Sequence, residues 1–219
     1  MPGPREGYNE RVASYFGGNR YLFVLMTSIA LRSPRTAAVD GLRSNQASLA
    51  TQVAGIVGFA LLTGLLAQFE IRLYLWEVPI TLQTVAVYGS GLFLGWRNGL
   101  LAMLLYLVLG LFLPLYAGGA SGIAHLAGAS GGYLFGFAAA AAVIGTVSKK
   151  WNSFSGSALA VFAGSLTLFA CGVTWLHFAA DHTTWWQSIE SGWLRFVAWD
   201  ITKILLTASI YTGMRRLTA

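Results

Sequence analysis

The apolar residues of this 219-residue chain come in long unbroken blocks, separated by short polar or glycine-rich connections. The blocks approach the ~20 residues that a helix needs to cross a hydrocarbon core. They predict spans at about residues 47–68, 80–95, 100–113, 133–148, 157–178 and 193–214. Lipid offers backbone N–H and C=O groups no partner, so the fold class that follows is an all-α integral membrane protein, a six-transmembrane-helix bundle. Residues 1–46 read differently, as a polar arm carrying Arg5, Arg11, Arg20, Arg32, Arg35 and Arg43. Its one apolar stretch, residues 21–31, is too short to span and is expected to lie in the interface or fold back on the bundle. The expected organisation is a basic N-terminal arm, 1–46, with a short interfacial helix, followed by a membrane domain at 47–219.

Composition agrees. The chain is 56% hydrophobic and 10% charged, with mean hydropathy +0.62, against about 25% charged residues in soluble domains. A net charge of +6 raises the question of nucleic acid, but the basic residues gather in the arm, at Arg97, at Lys149-Lys150 and at Arg215-Arg216. Six spans bring all of these to one side, leaving Arg72 and Arg195 opposite. By the excess of Lys and Arg in cytoplasmic loops, both termini are expected in the cytoplasm of a multi-pass plasma-membrane protein. The opening residues have no apolar core or cleavage site, so the N-terminus is expected to be retained. Cys171 stands alone and can form no intrachain disulfide.

The chemistry concentrates in few places. Asp200 and Lys203 lie inside the last apolar block, and a charge in hydrocarbon costs at least ~2.5–3.5 kcal/mol on insertion scales. At i,i+3 they share a helix face, ~10 and ~15 Å into the span. Either they form an internal ion pair that holds each other and locks helices together, or they bind a ligand. Glu77-Val78-Pro79-Ile80-Thr81-Leu82-Gln83-Thr84 opens the second span. Pro79 suits a first helical turn, and Thr81, Gln83 and Thr84 need partners from neighbouring helices or from a substrate. Trp96-Arg97-Asn98-Gly99 reads as a tight interfacial turn. Residues 114–133 carry no charge and many glycines, a composition suited to a lid or binding loop whose backbone can approach a ligand. His125 within it has no metal-ligand partner at a recognisable spacing, so no metal site is expected, and it reads as a packed loop residue. Trp185 and Trp186 read as interface anchors in a loop at 179–191. Ala50, Ala54 and Gly58, then Ala60 and Gly64, form small-residue rows suited to close helix approach, within the bundle or against a partner. No paired catalytic groups stand in the spans, so an enzyme is not expected. Nor does the chain hold a phosphate-binding Gly-x-x-x-x-Gly-Lys-Ser/Thr, so any ATP must be hydrolysed elsewhere.

Several motifs, in order, resemble the BioY family: Val78-Pro79-Ile80-Thr81-Leu82-Gln83-Thr84, Leu104-Leu105-Tyr106-Leu107-Val108-Leu109-Gly110-Leu111-Phe112-Leu113-Pro114, Ala117-Gly118-Gly119, and Gly131-Gly132-Tyr133-Leu134-Phe135-Gly136-Phe137. Asp200-Ile201-Thr202-Lys203 matches that family's Asp-x-x-Lys. The resemblance covers about residues 47–214. It implies the fold of the substrate-binding S components of energy-coupling factor (ECF) transporters. It also implies high-affinity capture of biotin from the outer side, with Asp200 and Lys203 contacting the ligand. Biotin's ureido ring has two N–H donors and one accepting carbonyl, which a carboxylate beside an ammonium complements. Tyr133 and Phe135 are candidates to cover the thiophane ring and valeryl chain, and Thr81 and Gln83 to join the site. Backbone around Gly118 and Gly119, with Ser121 or Ser130, is the candidate for the carboxylate. The partners implied are a transmembrane coupling subunit, docked on Ala50, Ala54 and Gly58, and two cytoplasmic ATPase subunits; no cofactor is expected on the chain itself. Two departures stand out: Gly128-Ala129-Ser130 replaces the Gly-Pro-Thr frequent in the family, and no Arg or Lys occurs between residues 98 and 148. The alternative is a solitary or proton-coupled transporter of biotin or another small carboxylate vitamin, with Asp200 as proton carrier.

Overall fold

The structure is a computed structural model that describes residues 38–43, 47–73, 76–151 and 153–218. The apolar stretch at 21–31 and most of the arm lie outside the described residues. A short helix, α1 (Ala38–Arg43), precedes the first long one, α2 (Leu49–Ala67). Ser48 starts α2 by accepting from Thr51 N with its side chain, which satisfies one of the orphan donors of a helix start. After α2 the chain makes a small antiparallel ribbon, β1 (Glu70–Ile71) with β2 (Ile80–Thr81), pairing Glu70 with Thr81 and Ile71 with Ile80. The ribbon displaces the helix start expected at Pro79, and α3 begins three residues after β2's Ile80, at Gln83.

Helix α3 (Gln83–Phe112) is a hairpin of two helical arms. It reverses at Gly95, whose φ of +75° suits a residue without Cβ. The two arms run back to back, so that a Cβ at Gly99 would stand 3.0 Å from Ser90 O, nine residues away. In a straight helix that separation is ~13 Å. The turn therefore belongs to Gly95, and Trp96-Arg97-Asn98-Gly99 already forms the second arm. The glycine-rich stretch that follows contains a 3-10 turn (Ala117–Gly119) and a short helix, α4 (Ile123–Ala127), before α5 (Gly131–Val147). Helix α6 (Phe154–Ala179) is capped by Ser153, and α7 (Trp185–Gly192) by Thr184, which turns part of the expected 179–191 loop helical. A further 3-10 turn (Leu194–Phe196) leads into α8 (Val197–Thr218).

Among the described residues the long helical segments of the bundle are α2, the two arms of α3, α5, α6 and α8. Not all have the length and apolarity of a free-standing span. Helices α2 and α6 do, whereas the two arms of α3 on either side of Gly95 are shorter, α5 has 17 residues and α8 carries Asp200, Lys203, Arg215 and Arg216. The latter two are held by packing: Tyr133, Leu134, Phe137 and Ile144 of α5 and Ile204, Ala208 and Tyr211 of α8 are almost fully buried. At the basic end, α1 is fastened to α8. Arg215 donates to both carboxylate oxygens of Asp40, at 3.0 Å from Nε and 2.6 Å from Nη2.

Candidate functional site

Asp200 and Lys203 occupy the first two turns of α8 and point into the bundle, 5% and 9% exposed. They do not close on each other: among the described residues no ion pair within 4.0 Å joins them. Asp200 is held by hydroxyls instead. Tyr88 OH donates to Oδ1 at 2.5 Å, and Ser165 Oγ donates to Oδ2. Both donors are fully or almost fully buried, one on the first arm of α3 and the other midway along α6. Two oxygens offer roughly four acceptor positions, so the carboxylate keeps acceptor capacity after taking these two bonds. The Lys203 ammonium makes no hydrogen bond among the described residues, and the residue lines a cavity.

That cavity, about 60 Å³, lies at the end of the bundle where α8 begins, away from Arg43 and Arg215. Its floor is Asp200 and Lys203; its walls include Tyr133, Leu134, Phe137, Leu168, Phe169 and Phe196, and its rim Pro79, Thr81, Gln83, Thr84, Ala117, His125 and Ser130. Thr81 Oγ1 donates to Gln83 Oε1 at 3.2 Å, and Gln83 Nε2 donates to Tyr106 OH at 3.1 Å, so these two polar groups are satisfied by the protein. Thr84 is the exception: its hydroxyl is buried without a partner on the cavity rim. Tyr133 turns its ring to the cavity and commits its hydroxyl to Gly192 O at 2.7 Å. Three aromatic walls fill in around it, with Tyr133 edge-on to Phe169 and Phe169 beside Phe196.

Phe135 is absent from this wall. It is 49% exposed and packs on Trp175, while Phe137, 3% exposed, lines the cavity. The helical period explains the difference, since residues 133 and 137 share a face and 135 does not. Gly118, Gly119 and Ser121 are also exposed and outside the lining, whereas Ser130 is on it. Gly118, at φ +66°, lies instead under the Glu70–Arg72 pair, where Arg72 Nε meets Glu70 Oε1 at 2.7 Å.

Above the cavity is a wider recess of about 360 Å³, lined by Arg72, Glu77, Pro79, Ala120, Ala124, His125 and Ser130 among others. Pro79, His125 and Ser130 border both spaces, so the recess is the vestibule of the inner chamber. His125 stacks on Tyr116 with centroids 5.0 Å apart, the packed role expected of it, and its edge reaches the rim. Burial, reinforced by the Arg72 charge, holds its pKa below the usual imidazole value.

The small residues of α2 divide by face. Ala60 and Gly64 are buried against the bundle, whereas Ala50, Ala54 and Gly58 are exposed on the outer surface. Tyr88, Ser165, Phe137, Phe169 and Phe196 are among the site residues that sequence reasoning passed over. A hydroxyl within an otherwise apolar span was the available signal for the first two.

The profile of the BioY family matches residues 24–219. A biotin transporter BioY of Thermotoga maritima is 36% identical over 148 residues, 67% of this chain and 86% of that protein. A probable biotin transporter BioY of Pyrococcus horikoshii is 34% identical over 155 residues, 70% and 90% of the two chains. Among solved structures, the S component for biotin of an ECF-type ABC transporter superposes with a TM-score of 0.72 at 25% identity, covering 79% of this chain and 95% of that one.

Proposed function

The chain belongs to the BioY family, and from that premise we propose that it is a biotin transporter that captures biotin from the outer side of the membrane, as the S component of an ECF-type ABC transporter. The observation that carries the reading is the cavity floor, where a carboxylate fixed by two hydroxyls stands beside an ammonium that has no partner among the described residues. In this reading Asp200 accepts from a ureido N–H and Lys203 donates to the ureido carbonyl. Phe137, Phe169, Phe196 and the Tyr133 ring cover the thiophane, which removes apolar area from water at about 25 cal/mol per Å².

The valeryl chain then runs outward past Ser130 into the vestibule. Its carboxylate is repelled by Asp200 and finds Arg72, Ser130 and the Ala120 backbone at the wider end. The inner chamber alone is smaller than the ~300–1,000 Å³ usual for sites of drug-sized ligands. Chamber and vestibule together suit a ring head with a charged tail. The ribbon and the 114–130 loops lie across this route, so binding requires them to yield and then close.

Membrane integration follows from the family and from the apolar helices. The basic residues at the α1, Gly95 and Arg215 end support placing that end, and both termini, in the cytoplasm of the plasma membrane. Energy is supplied by partners: a transmembrane coupling subunit packing on the exposed Ala50, Ala54 and Gly58, and two ATPases. Competition binding with labelled biotin tests the substrate. Desthiobiotin, which keeps the ureido ring, should compete, and lipoate, which has a carboxylate tail but no ureido group, should not. Equal competition by lipoate would reject ureido recognition.

A further inference from the structure

A second polar cavity, of about 300 Å³, lies at the opposite end of the bundle, beside the reversal of α3. Arg43, Arg97 and Lys149 line it, with Asn98 and the backbone of Gly95 and Gly145. The three cations come from α1, from the second arm of α3 and from the turn after α5, and among the described residues no acidic side chain lines the cavity. The closest acid on α1, Asp40, is consumed by Arg215 at 2.6 Å. A general excess of basic residues on one side of the membrane accounts for their sign but not for their convergence on one hollow.

Arg43 is held in place before any ligand arrives. Its Nη1 donates to Tyr211 OH at 2.9 Å, and its Nη2 to Ser148 Oγ at 2.8 Å and Gly145 O at 3.2 Å. Those bonds use three of the five guanidinium N–H donors, and the Nε edge lies over Gly95. Arg97 and Lys149 are exposed, and their side chains make no hydrogen bond or ion pair among the described residues, which leaves both cations available beside a fixed one. Trp96 and Trp151, 55% and 45% exposed on the same end, put the hollow at the level where tryptophans anchor to lipid headgroups. A fixed guanidinium with its Nε–H and one Nη1–H unspent, flanked by two further cations, fits a phosphate, which takes charge-assisted single bonds from arginine and point charge from lysine.

We propose that this cavity binds the phosphate of an anionic phospholipid of the adjoining leaflet. The lipid joins α1, α3 and α5 around the Gly95 turn and is independent of the biotin chamber. Native mass spectrometry of the full chain, with equal excesses of dioleoylphosphatidylglycerol and dioleoylphosphatidylcholine, reads the preference directly. The comparison variant is Arg97→Ala with Lys149→Ala, two exposed positions whose loss leaves Arg43 and its ties in place. The wild type should retain phosphatidylglycerol preferentially, and the double variant should lose roughly 30-fold in retention, from two phosphate contacts near the membrane surface. Biotin binding unchanged in the variant shows that it is folded. Equal retention of the two lipids by the wild type, or an undiminished preference in the variant, overturns the proposal. Displacement of the lipid by millimolar inorganic phosphate keeps the anion site but overturns the lipid as its occupant. Protection of Arg97 and Lys149 from acylation or arginine-directed reagents only when partner subunits are added assigns the cavity to a protein contact instead.

Discussion

Replacing Asp200 by Asn keeps the size and shape of the side chain and removes the two properties that matter at the cavity floor. Both oxygens of Asp200 receive hydroxyl donors, from Tyr88 and from Ser165. An amide turns one of those acceptors into a donor, so one hydroxyl must rotate away. It also leaves Lys203, 9% exposed, as a cation without a nearby negative charge. A charge-assisted hydrogen bond to a buried group contributes about 1.5–3 kcal/mol, so biotin affinity should fall roughly 10- to 150-fold. Stability should fall as well, by less than the ~3–5 kcal/mol seen when one partner of a closely contacting buried ion pair is removed. A second change separates the two effects. Asp200→Asn with Lys203→Met removes the stranded cation, so thermal stability should recover while binding does not. Titration calorimetry with biotin, beside thermal melting of the same detergent-solubilised samples, reads both. A folded Asp200→Asn protein binding within twofold of wild type, or a double variant that binds normally, would refute the assignment.

Phe137→Ala should weaken biotin binding at least tenfold and destabilise the protein by about 3–5 kcal/mol, the usual loss for a buried phenylalanine. Phe135→Ala, at a half-exposed position, should leave biotin affinity within a factor of two, and the reverse order in a binding assay would contradict the helix phase. Ala54→Leu should leave biotin binding intact and impair uptake in cells that co-express the coupling subunit and ATPases; normal uptake would return that face of α2 to lipid. His125 has a pKa lowered by burial and by Arg72, so the fold favours its neutral form. Its contribution to stability is therefore full above the unfolded imidazole value and declines as pH falls below it. His125→Phe should flatten the acid side of the melting-temperature profile, and an unchanged profile would remove His125 from that dependence.

Much of this was legible in the sequence, for reasons that are local. Apolar blocks fixed the segments to within a few residues, and the reversal expected near Trp96 occurs one residue earlier, at a glycine that can adopt φ +75°. Asp200 and Lys203 stood out because charge in an apolar block is expensive. What the sequence did not disclose depends on tertiary pairing. Tyr88 reaches Asp200 across 112 positions and Ser165 across 35, and neither hydroxyl has a local pattern to announce it. Those hydroxyls hold Asp200 in place of the direct Asp–Lys pairing that was one of the two readings. Phe135 was favoured over Phe137 by chemistry without phase, although Tyr133 and Phe137 are the pair that shares a face. The ribbon after Pro79 overrode a proline that otherwise suits a helix start, because Ile80 and Thr81 found partners in Glu70 and Ile71.

In the proposed site the ureido ring lies innermost and the carboxylate toward the vestibule. A structure of the biotin complex in lipid nanodiscs tests it most directly. The account predicts density for the ureido ring within hydrogen-bond distance of Asp200 and Lys203, and the carboxylate in the vestibule near Ser130 and Arg72. The opposite orientation, with the carboxylate paired to the Lys203 ammonium and the ring at the mouth, would contradict it.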